Sequence, residues 1–184
     1  MTMPTRDDPA DPNAAAGGCE IRAARPSDIP RIWEMLRGLA AYERLEHEVS
    51  GTPERLAEHL FGTRPSVECV VAESGAALVG YALVYPTYSS FRTAPTMWLE
   101  DLFVEPGKRG KGTGRMLLAA VARLALERGC QGLNWIVLDW NRPSIAFYER
   151  AGARPAEGGW LQYGLDRERM RALAGAAGPA GGRR

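Results

Sequence analysis

The sequence predicts a mixed α/β fold, in which one sheet carries helices on both of its faces. The chain has 184 residues, 45% of them hydrophobic and 24% charged, which is enough for a single globular core. Strand-like runs follow one another in the first half, whereas strand and helix patterns alternate in the second half. A meander that continues into alternating elements predicts a mixed sheet.

The predicted strands are short runs rich in β-branched and aromatic residues. Ser74 and Gly75 separate the second run from the third and predict a hairpin turn. The third run overlaps the most apolar segment of the chain, residues 76–85, which has the length of a strand. The predicted strands cover residues 20–23, 69–73, 78–87, 96–104, 133–138 and 161–165.

Capping signals locate most of the predicted helices. The first has Ser27 or Asp28 as its N-cap, and the second has Thr52 before Pro53. Apolar residues then recur at helical spacing, most clearly in the long third helix. The predicted helices begin near residues 28, 53, 112, 141 and 167 and end near residues 42, 62, 129, 150 and 174.

These elements form one predicted domain over residues 19–174. The flanking segments, 1–18 and 175–184, have too little apolar surface for a core and are predicted to be disordered tails. Residues 1–18 lack the apolar region of a secretory signal, and no run approaches the ~18 apolar residues of a membrane helix. We therefore expect a cytoplasmic protein with no membrane partner.

Charge and cysteine content argue against several kinds of site. The 23 Lys and Arg residues nearly balance the 22 Asp and Glu residues, so a basic nucleic-acid surface is not expected. Three scattered cysteines and two histidines form neither a disulfide framework nor a metal-ligand pattern. We expect Cys69 and Cys130 in the core, and we predict no metal cofactor.

A glycine-rich loop over residues 104–114 separates a predicted strand from the long helix. Its glycines let backbone N–H groups turn inward, and the helix N-terminus adds partial positive charge, so the loop suits a pyrophosphate. It has neither the Gly-Lys-Ser/Thr ending of a P-loop nor the spacing of a dinucleotide fingerprint. The alternative is a plain glycine-rich turn before a helix. The basic residues around the loop are Lys108, Arg109, Lys111 and Arg115.

Glu100 and Asp101 interrupt an otherwise apolar strand. Successive strand side chains point to opposite faces, so we expect one carboxylate on each face unless a bulge intervenes. A carboxylate with a shifted pKa beside a cleft is a candidate general base. The alternative is a strand end where one acid simply meets solvent.

Phe147 and Tyr148 are adjacent on the helix predicted after Asn141, where they project about 100° apart. One ring can therefore pack while the other points into a cleft. A phenol is protonated at neutral pH and can donate a proton to a leaving group. The alternative is that Tyr148 is a core residue with a satisfied hydroxyl.

Together these motifs resemble the GNAT acetyltransferases. The loop matches the family's acyl-CoA pattern at Arg109, Gly112 and Gly114. The late family motif is matched by Asn141, Ser144, Phe147, Tyr148, Gly152 and Ala153. Within the family, residues 99–101 and 139–141 are similar to those of the diamine (spermidine/spermine) and thialysine acetyltransferases. The resemblance extends from Ile21 to Ala172.

The resemblance implies the GNAT fold, whose mixed, mostly antiparallel sheet is splayed in the middle. It implies acetyl-CoA as co-substrate, with the backbone of Leu102, Phe103 and Val104 binding the pantetheine. Asn141 and Ser144 fall at further CoA-contact positions. The residues implied in holding the pyrophosphate are Arg109, Gly110, Lys111, Gly112, Thr113 and Gly114. A homodimer is also implied.

The resemblance assigns the chemistry as well. Glu100 matches the acid proposed as base, acting directly or through water, and Tyr148 matches the tyrosine placed to protonate the leaving thiolate. Tyr42 and Glu43, together with Glu100 and Asp101, match substrate-contact positions. A base is needed because an alkylammonium, with a pKa near ~10.4, is no nucleophile until it loses a proton.

Departures from the polyamine enzymes favour a small substrate. Ser89 stands where those enzymes carry an acid, and Glu157 is a candidate for another of their acids. A long polycation needs several spaced anions, so we predict a small primary amine: a short diamine, a lysine-like amino acid or an aminoalkyl thioether such as thialysine. Arg92 is a candidate partner for a substrate carboxylate. The alternatives are acetylation of protein lysines or N-termini and a non-catalytic acyl-CoA sensor.

Overall fold

The computed structural model describes residues 18–156 and 163–176. The chain divides into two compact units, Met1–Ser144 and Ile145–Arg184. The strands are β1 (Cys19–Ala23), β2 (Glu68–Ser74), β3 (Ala77–Ser89), β4 (Ala94–Val104) and β5 (Leu133–Asn134). The helices are α1 (Ile29–Glu43), α2 (Pro53–Phe61), α3 (Thr113–Glu127), α4 (Arg142–Arg150) and α5 (Arg167–Ala176).

The five strands of the described residues form one sheet in the order β1-β2-β3-β4-β5. Neighbours from β1 to β4 are antiparallel, and β5 runs parallel to β4. Ile32 of α1 packs with Tyr81 in one core cluster, and Leu117 of α3 packs with Val79 and Val104 in another. The predicted mixed sheet with helices on both faces is therefore confirmed.

A bulge in β4 positions the two adjacent acids. Leu83 of β3 lies opposite Asp101, whereas the next residue, Val84, lies opposite Leu99, so Glu100 has no partner on β3. Because Leu83 and Val84 face opposite sides of the sheet, Leu99 and Asp101 do so as well. The expectation of one carboxylate on each face assumed a regular strand, and the bulge replaces that alternation.

Strand β5 is shorter than predicted, because only Leu133 and Asn134 pair with β4, opposite Met97 and Trp98. The predicted strand over 133–138 is wrong beyond residue 134. A β-prone run becomes a strand only where another strand pairs with it, and residues 135–138 have no such pairing with β4. Ile136 is accordingly 66% exposed. Beyond Trp98, this edge of β4 has no neighbouring strand among residues 18–144, which corresponds to the expected splay.

Other differences lie at the ends of elements. Helix α1 begins at Ile29 because Pro26–Asp28 form a short 3-10 helix. Of the strand predicted over 161–165, residues 161–162 lie outside the described residues, as does Glu157, and residues 163–165 are not a strand. Of the two predicted tails, residues 1–17 and 177–184 lie outside the described residues, and residues 175–176 extend α5. No helix within the described ranges is long and apolar enough to cross a membrane.

Candidate active site

Three acids of the first unit, Glu43, Glu100 and Asp101, interact electrostatically and are called the acidic group below. Glu43 ends α1, and the other two lie at the bulge of β4. Burial raises the pKa of Asp101 to about 6, and the charges of Glu100 and Glu43 add to this rise. Burial also raises the pKa of Glu43. Asp101 and Glu43 thus place negative charge where solvation is poor, next to the exposed Glu100, which favours binding of a cation.

Tyr81 of β3 holds Asp101 from within the core. The tyrosine is fully buried, and its hydroxyl donates a hydrogen bond of 2.9 Å to Oδ2 of Asp101. This bond stabilises the charged carboxylate and opposes the effect of burial on its pKa. Burial and the charge of Asp101 raise the pKa of Tyr81 far above its usual value, so the hydroxyl stays protonated. Sequence reasoning missed Tyr81, which lies in an apolar run and meets Asp101 only through the bulged register.

Glu100 is exposed at the bulge, in contrast to the half-buried Asp101. Its Oε2 accepts a hydrogen bond of 2.9 Å from the indole Nε1 of Trp98. The pKa of Tyr85 is raised by burial and, in addition, by the charge of Glu100. An exposed carboxylate held by one indole can exchange protons with water, as a general base must.

Tyr42 connects α1 to the residue before α4. Its hydroxyl donates a hydrogen bond of 3.0 Å to Oδ1 of Asn141. The same oxygen accepts a hydrogen bond of 3.3 Å from the backbone N–H of Ser144, so Asn141 caps the start of α4. Asn141 is buried, so these bonds fix its amide firmly. Its contact with CoA stays a prediction.

Arg109 of the glycine-rich loop turns inward. Its Nε donates a hydrogen bond of 2.8 Å to the carbonyl oxygen of Val104. Its guanidinium carbon lies 5.0 Å from the ring centroid of Tyr42 and 5.7 Å from that of Phe103. These cation–π contacts orient the loop against α1 and β4. Arg109 thus has a structural role beside the pyrophosphate contact predicted for it.

The loop adopts the backbone that its glycines were predicted to permit. Gly110 and Gly112 have φ values of 77° and 86°, in the left-handed region that favours glycine. Gly112 is the N-cap of α3 and supplies no side-chain acceptor to the first N–H groups of this 15-residue helix. Lys108 and Lys111 are exposed beside it. This arrangement fits a pyrophosphate.

Beyond Trp98, the edge of β4 that faces away from β3 has no partner strand among residues 18–144 and presents backbone groups of alternate residues. The N–H of Glu105 donates to the carbonyl of Val79 on β3. Backbone groups alternate along an antiparallel strand, so those of Phe103 also point to β3 and those of Leu102 and Val104 point to the other edge. Of the three predicted pantetheine-binding residues, Leu102 therefore presents its N–H and carbonyl at this edge. Val104 presents its N–H there, while its carbonyl accepts the hydrogen bond from Arg109.

The surroundings of two other predicted site residues, Arg92 and Tyr148, differ in kind. The Nη1 of Arg92 donates a hydrogen bond of 3.0 Å to the carbonyl of Gln131, so Arg92 is engaged by the backbone before β5. Tyr148 belongs to the second unit, on α4, with its ring centroid 5.0 Å from that of Phe147. The role of Tyr148 as a proton donor stays a prediction.

Residues 32–153 match the model of the acetyltransferase (GNAT) family. The chain belongs to the GNAT family. A thialysine N-epsilon-acetyltransferase of Mus musculus is 39% identical over 165 residues, which cover 84% of this chain and 96% of that protein. An L-ornithine N5-acetyltransferase of Arabidopsis thaliana is 29% identical and covers 73% of this chain and 78% of its own length.

A third relative, a spermidine/spermine N(1)-acetyltransferase-like protein of Homo sapiens, is 32% identical over 84% of this chain and 24% of its own length. A solved integron cassette protein of V. cholerae has the same fold, with a TM-score of 0.68 at 22% identity, over 85% of this chain and 98% of that one. These matches confirm the predicted family, subfamily resemblance and GNAT fold. This GNAT protein is an acyltransferase that acetylates an amine.

Proposed function

We propose that this enzyme transfers an acetyl group from acetyl-CoA directly to the primary amine of a small molecule, a short diamine or a lysine-like amino acid. The acidic group carries the proposal, because carboxylates gathered at the bulge beside the open edge of β4 complement a cationic substrate. The relatives named for thialysine and ornithine support an amino-acid amine, and the relative named for spermidine and spermine supports a polyamine.

The acidic group supplies the binding and the proton transfer that an amine needs. The substrate arrives as an ammonium ion with a pKa near ~10.4 and must lose a proton before its nitrogen attacks. Asp101 and Glu43 bind the cation, and Glu100 takes the proton directly or through a water molecule. The nitrogen–acetyl bond then forms as the carbon–sulfur bond breaks, and Tyr148 protonates the departing sulfur. The nitrogen loses its remaining extra proton as the amide forms, and this proton restores the Tyr148 hydroxyl. Because the two reactants are held together, no acyl-enzyme is needed.

Acetyl-CoA supplies an acetyl group activated as a thioester, and two features of the chain fit its other parts. The backbone groups of Leu102 and the N–H of Val104, on the open edge of β4, can bond the amides of the pantetheine arm. The left-handed glycines and the N-terminus of α3 fit the pyrophosphate, with Lys108 and Lys111 exposed beside them. Ser144 adds a contact from the family motif.

The family resemblance also supports a homodimer, with no nucleic-acid or membrane partner. Light scattering on the purified protein measures its mass in solution. A mass of about 40 kDa, twice that of the 20.1 kDa chain, is expected. A mass equal to one chain would contradict the dimer.

Release of free thiol from acetyl-CoA tests the function, measured with a panel of diamines, basic amino acids and aminoalkyl thioethers. We expect turnover with one class of amine and a large loss in Glu100→Gln and Tyr148→Phe. Glu127→Gln on the exposed face of α3 and Tyr163→Phe are the matched controls and should keep full activity.

Two outcomes would contradict the proposal. Binding of acetyl-CoA without thiol release in the presence of any small amine would favour a protein substrate or an acyl-CoA sensor. Full activity in both Glu100→Gln and Tyr148→Phe would remove these residues from the chemistry while leaving the acetyl transfer itself in place.

A further inference from the structure

We propose that Arg44 binds the carboxylate of an amino-acid substrate, so that the enzyme selects lysine-like amino acids over diamines of the same length. This inference rests on the proposed function and specifies its substrate class. Arg44 directly follows Glu43 of the acidic group at the end of α1. A zwitterionic amino acid carries both charges that such a pair of neighbours can bind.

The backbone at Arg44 is in the left-handed conformation, with φ 63° and ψ 33°. Its N–H bonds to the carbonyls of Ala40 and Ala41, and the N–H of Leu45 bonds to the carbonyl of Ala40 at 2.8 Å. Glycine is the usual residue at such a helix end, because a side chain in this conformation is strained. The helix end therefore does not require arginine, and strain of this kind is often retained where a side chain serves function.

An aromatic ring orients the side chain of Arg44. Its guanidinium carbon lies 6.0 Å from the ring centroid of Trp140. The centroid of Trp140 is in turn 6.0 Å from that of Tyr42, whose hydroxyl bonds Asn141. A guanidinium that stacks on an aromatic ring contacts the ring through its flat face. The N–H donors at the edge of the guanidinium stay available to bind a carboxylate through two hydrogen bonds.

The charges around Arg44 leave a carboxylate as its natural ligand. Within residues 18–144, the arginines that pair with carboxylates are Arg22, Arg31 and Arg128, and Arg44 is not among them. Arg44 is also exposed. Arg92, the other candidate for this task, bonds the Gln131 carbonyl instead. A diamine of the same length keeps the second ammonium ion of the amino acid but lacks its carboxylate, so Arg44 would repel that ammonium ion with no carboxylate to offset the repulsion.

Paired substrates that differ by one carboxylate test this inference. Lysine is compared with cadaverine, and ornithine with putrescine, in the unaltered enzyme and in Arg44→Gln. We expect kcat/KM for the amino acids to fall about 10–100-fold, as loss of a charge-assisted bond predicts, while kcat/KM for the diamines is unchanged or rises. Arg55 is an exposed arginine of α2, and Arg55→Gln is the control. It should leave kcat/KM unchanged for both the amino acids and the diamines.

Arg44→Gly separates this role from a structural one. Glycine relieves the backbone strain, so the variant should unfold at the same or a higher denaturant concentration and yet lose the preference for amino acids. If kcat/KM falls equally for amino acids and diamines, or does not fall for amino acids, the role of Arg44 is rejected while the proposed function stands. Absence of turnover with every amine in the unaltered enzyme would reject the proposed function, and the role of Arg44 with it.

Discussion

The buried hydroxyl of Tyr81 donates a hydrogen bond of 2.9 Å to the carboxylate of Asp101, across two strands whose register is shifted by the bulge at Glu100. The bond counteracts the burial and the neighbouring charges that raise the pKa of Asp101 to about 6. Tyr81 is thus a positioning residue, which keeps Asp101 oriented and ionised at neutral pH.

Tyr81→Phe should raise the pKa of Asp101, because the lost hydrogen bond favours the charged carboxylate. We expect the acidic limb of the pH profile of kcat/KM, near pH 6 in the unaltered enzyme, to move upward by about 0.5–1 pH unit. The limb should be absent in Asp101→Asn, with or without Tyr81→Phe. Tyr88→Phe, an exposed tyrosine of the same strand, is the control. An unmoved limb in Tyr81→Phe would show that Asp101 does not depend on this bond.

Asp28→Asn should destabilise the fold by about 3 kcal/mol, because it breaks a buried ion pair. The Asp28 carboxylate bonds Nη1 and Nη2 of Arg22 at 2.7 and 3.1 Å and the backbone N–H of Arg25 at 2.7 Å. Urea unfolding at pH 7 measures the difference. Glu34→Gln removes the more exposed pair with Arg31 and should cost under about 1 kcal/mol. Equal costs for the two variants would contradict the prediction.

The stabilisation by Asp28 should also depend on pH. The hydrogen bond from Arg22 and the Arg25 N–H hold the pKa of Asp28 below its usual value, against the effect of burial. A lowered pKa in the folded state gives stability that is complete above the unfolded pKa, near ~3.9, and is lost as the pH falls through the folded pKa. The difference between Asp28→Asn and the unaltered protein should therefore shrink below about pH 4. A difference that stays constant down to pH 2 would exclude this carboxylate as its source.

Gly112→Ala should weaken the binding of acetyl-CoA. Gly112 has φ 86° at the start of α3, where a side chain costs roughly 1–2 kcal/mol and shifts the loop. We expect KM for acetyl-CoA to rise several-fold with kcat less affected. Gly107→Ala is the matched control, since Gly107 lies in the same loop without a positive φ and with no atom close to an added Cβ. Similar KM values for the two variants would argue against a dependence on the Gly112 backbone.

Local sequence signals determined much of this protein. Thr52 and Pro53 start α2, and the Oγ1 of Thr52 accepts the N–H of Arg55 as a cap should. The turn at Gly75, with φ 62°, joins the predicted hairpin. The family motifs around Gly112 and Asn141 indicated the GNAT fold and acetyltransferase activity. Each of these features depends on residues within a few positions of one another, so the sequence alone contains it.

Only the tertiary structure decided how distant residues meet. The strand signal over residues 133–138 could not reveal that β4 has a pairing partner for Leu133 and Asn134 alone. Nor could the alternation around Glu100 reveal the bulge, because a bulge is a property of two paired strands and not of one. The contact of Tyr81 with Asp101 and the position of Arg44 over Trp140 likewise join residues far apart in sequence. The sequence by itself therefore determined the elements, the loop and the family, while the non-local pairing of β3 with β4 decided the geometry of the acidic group.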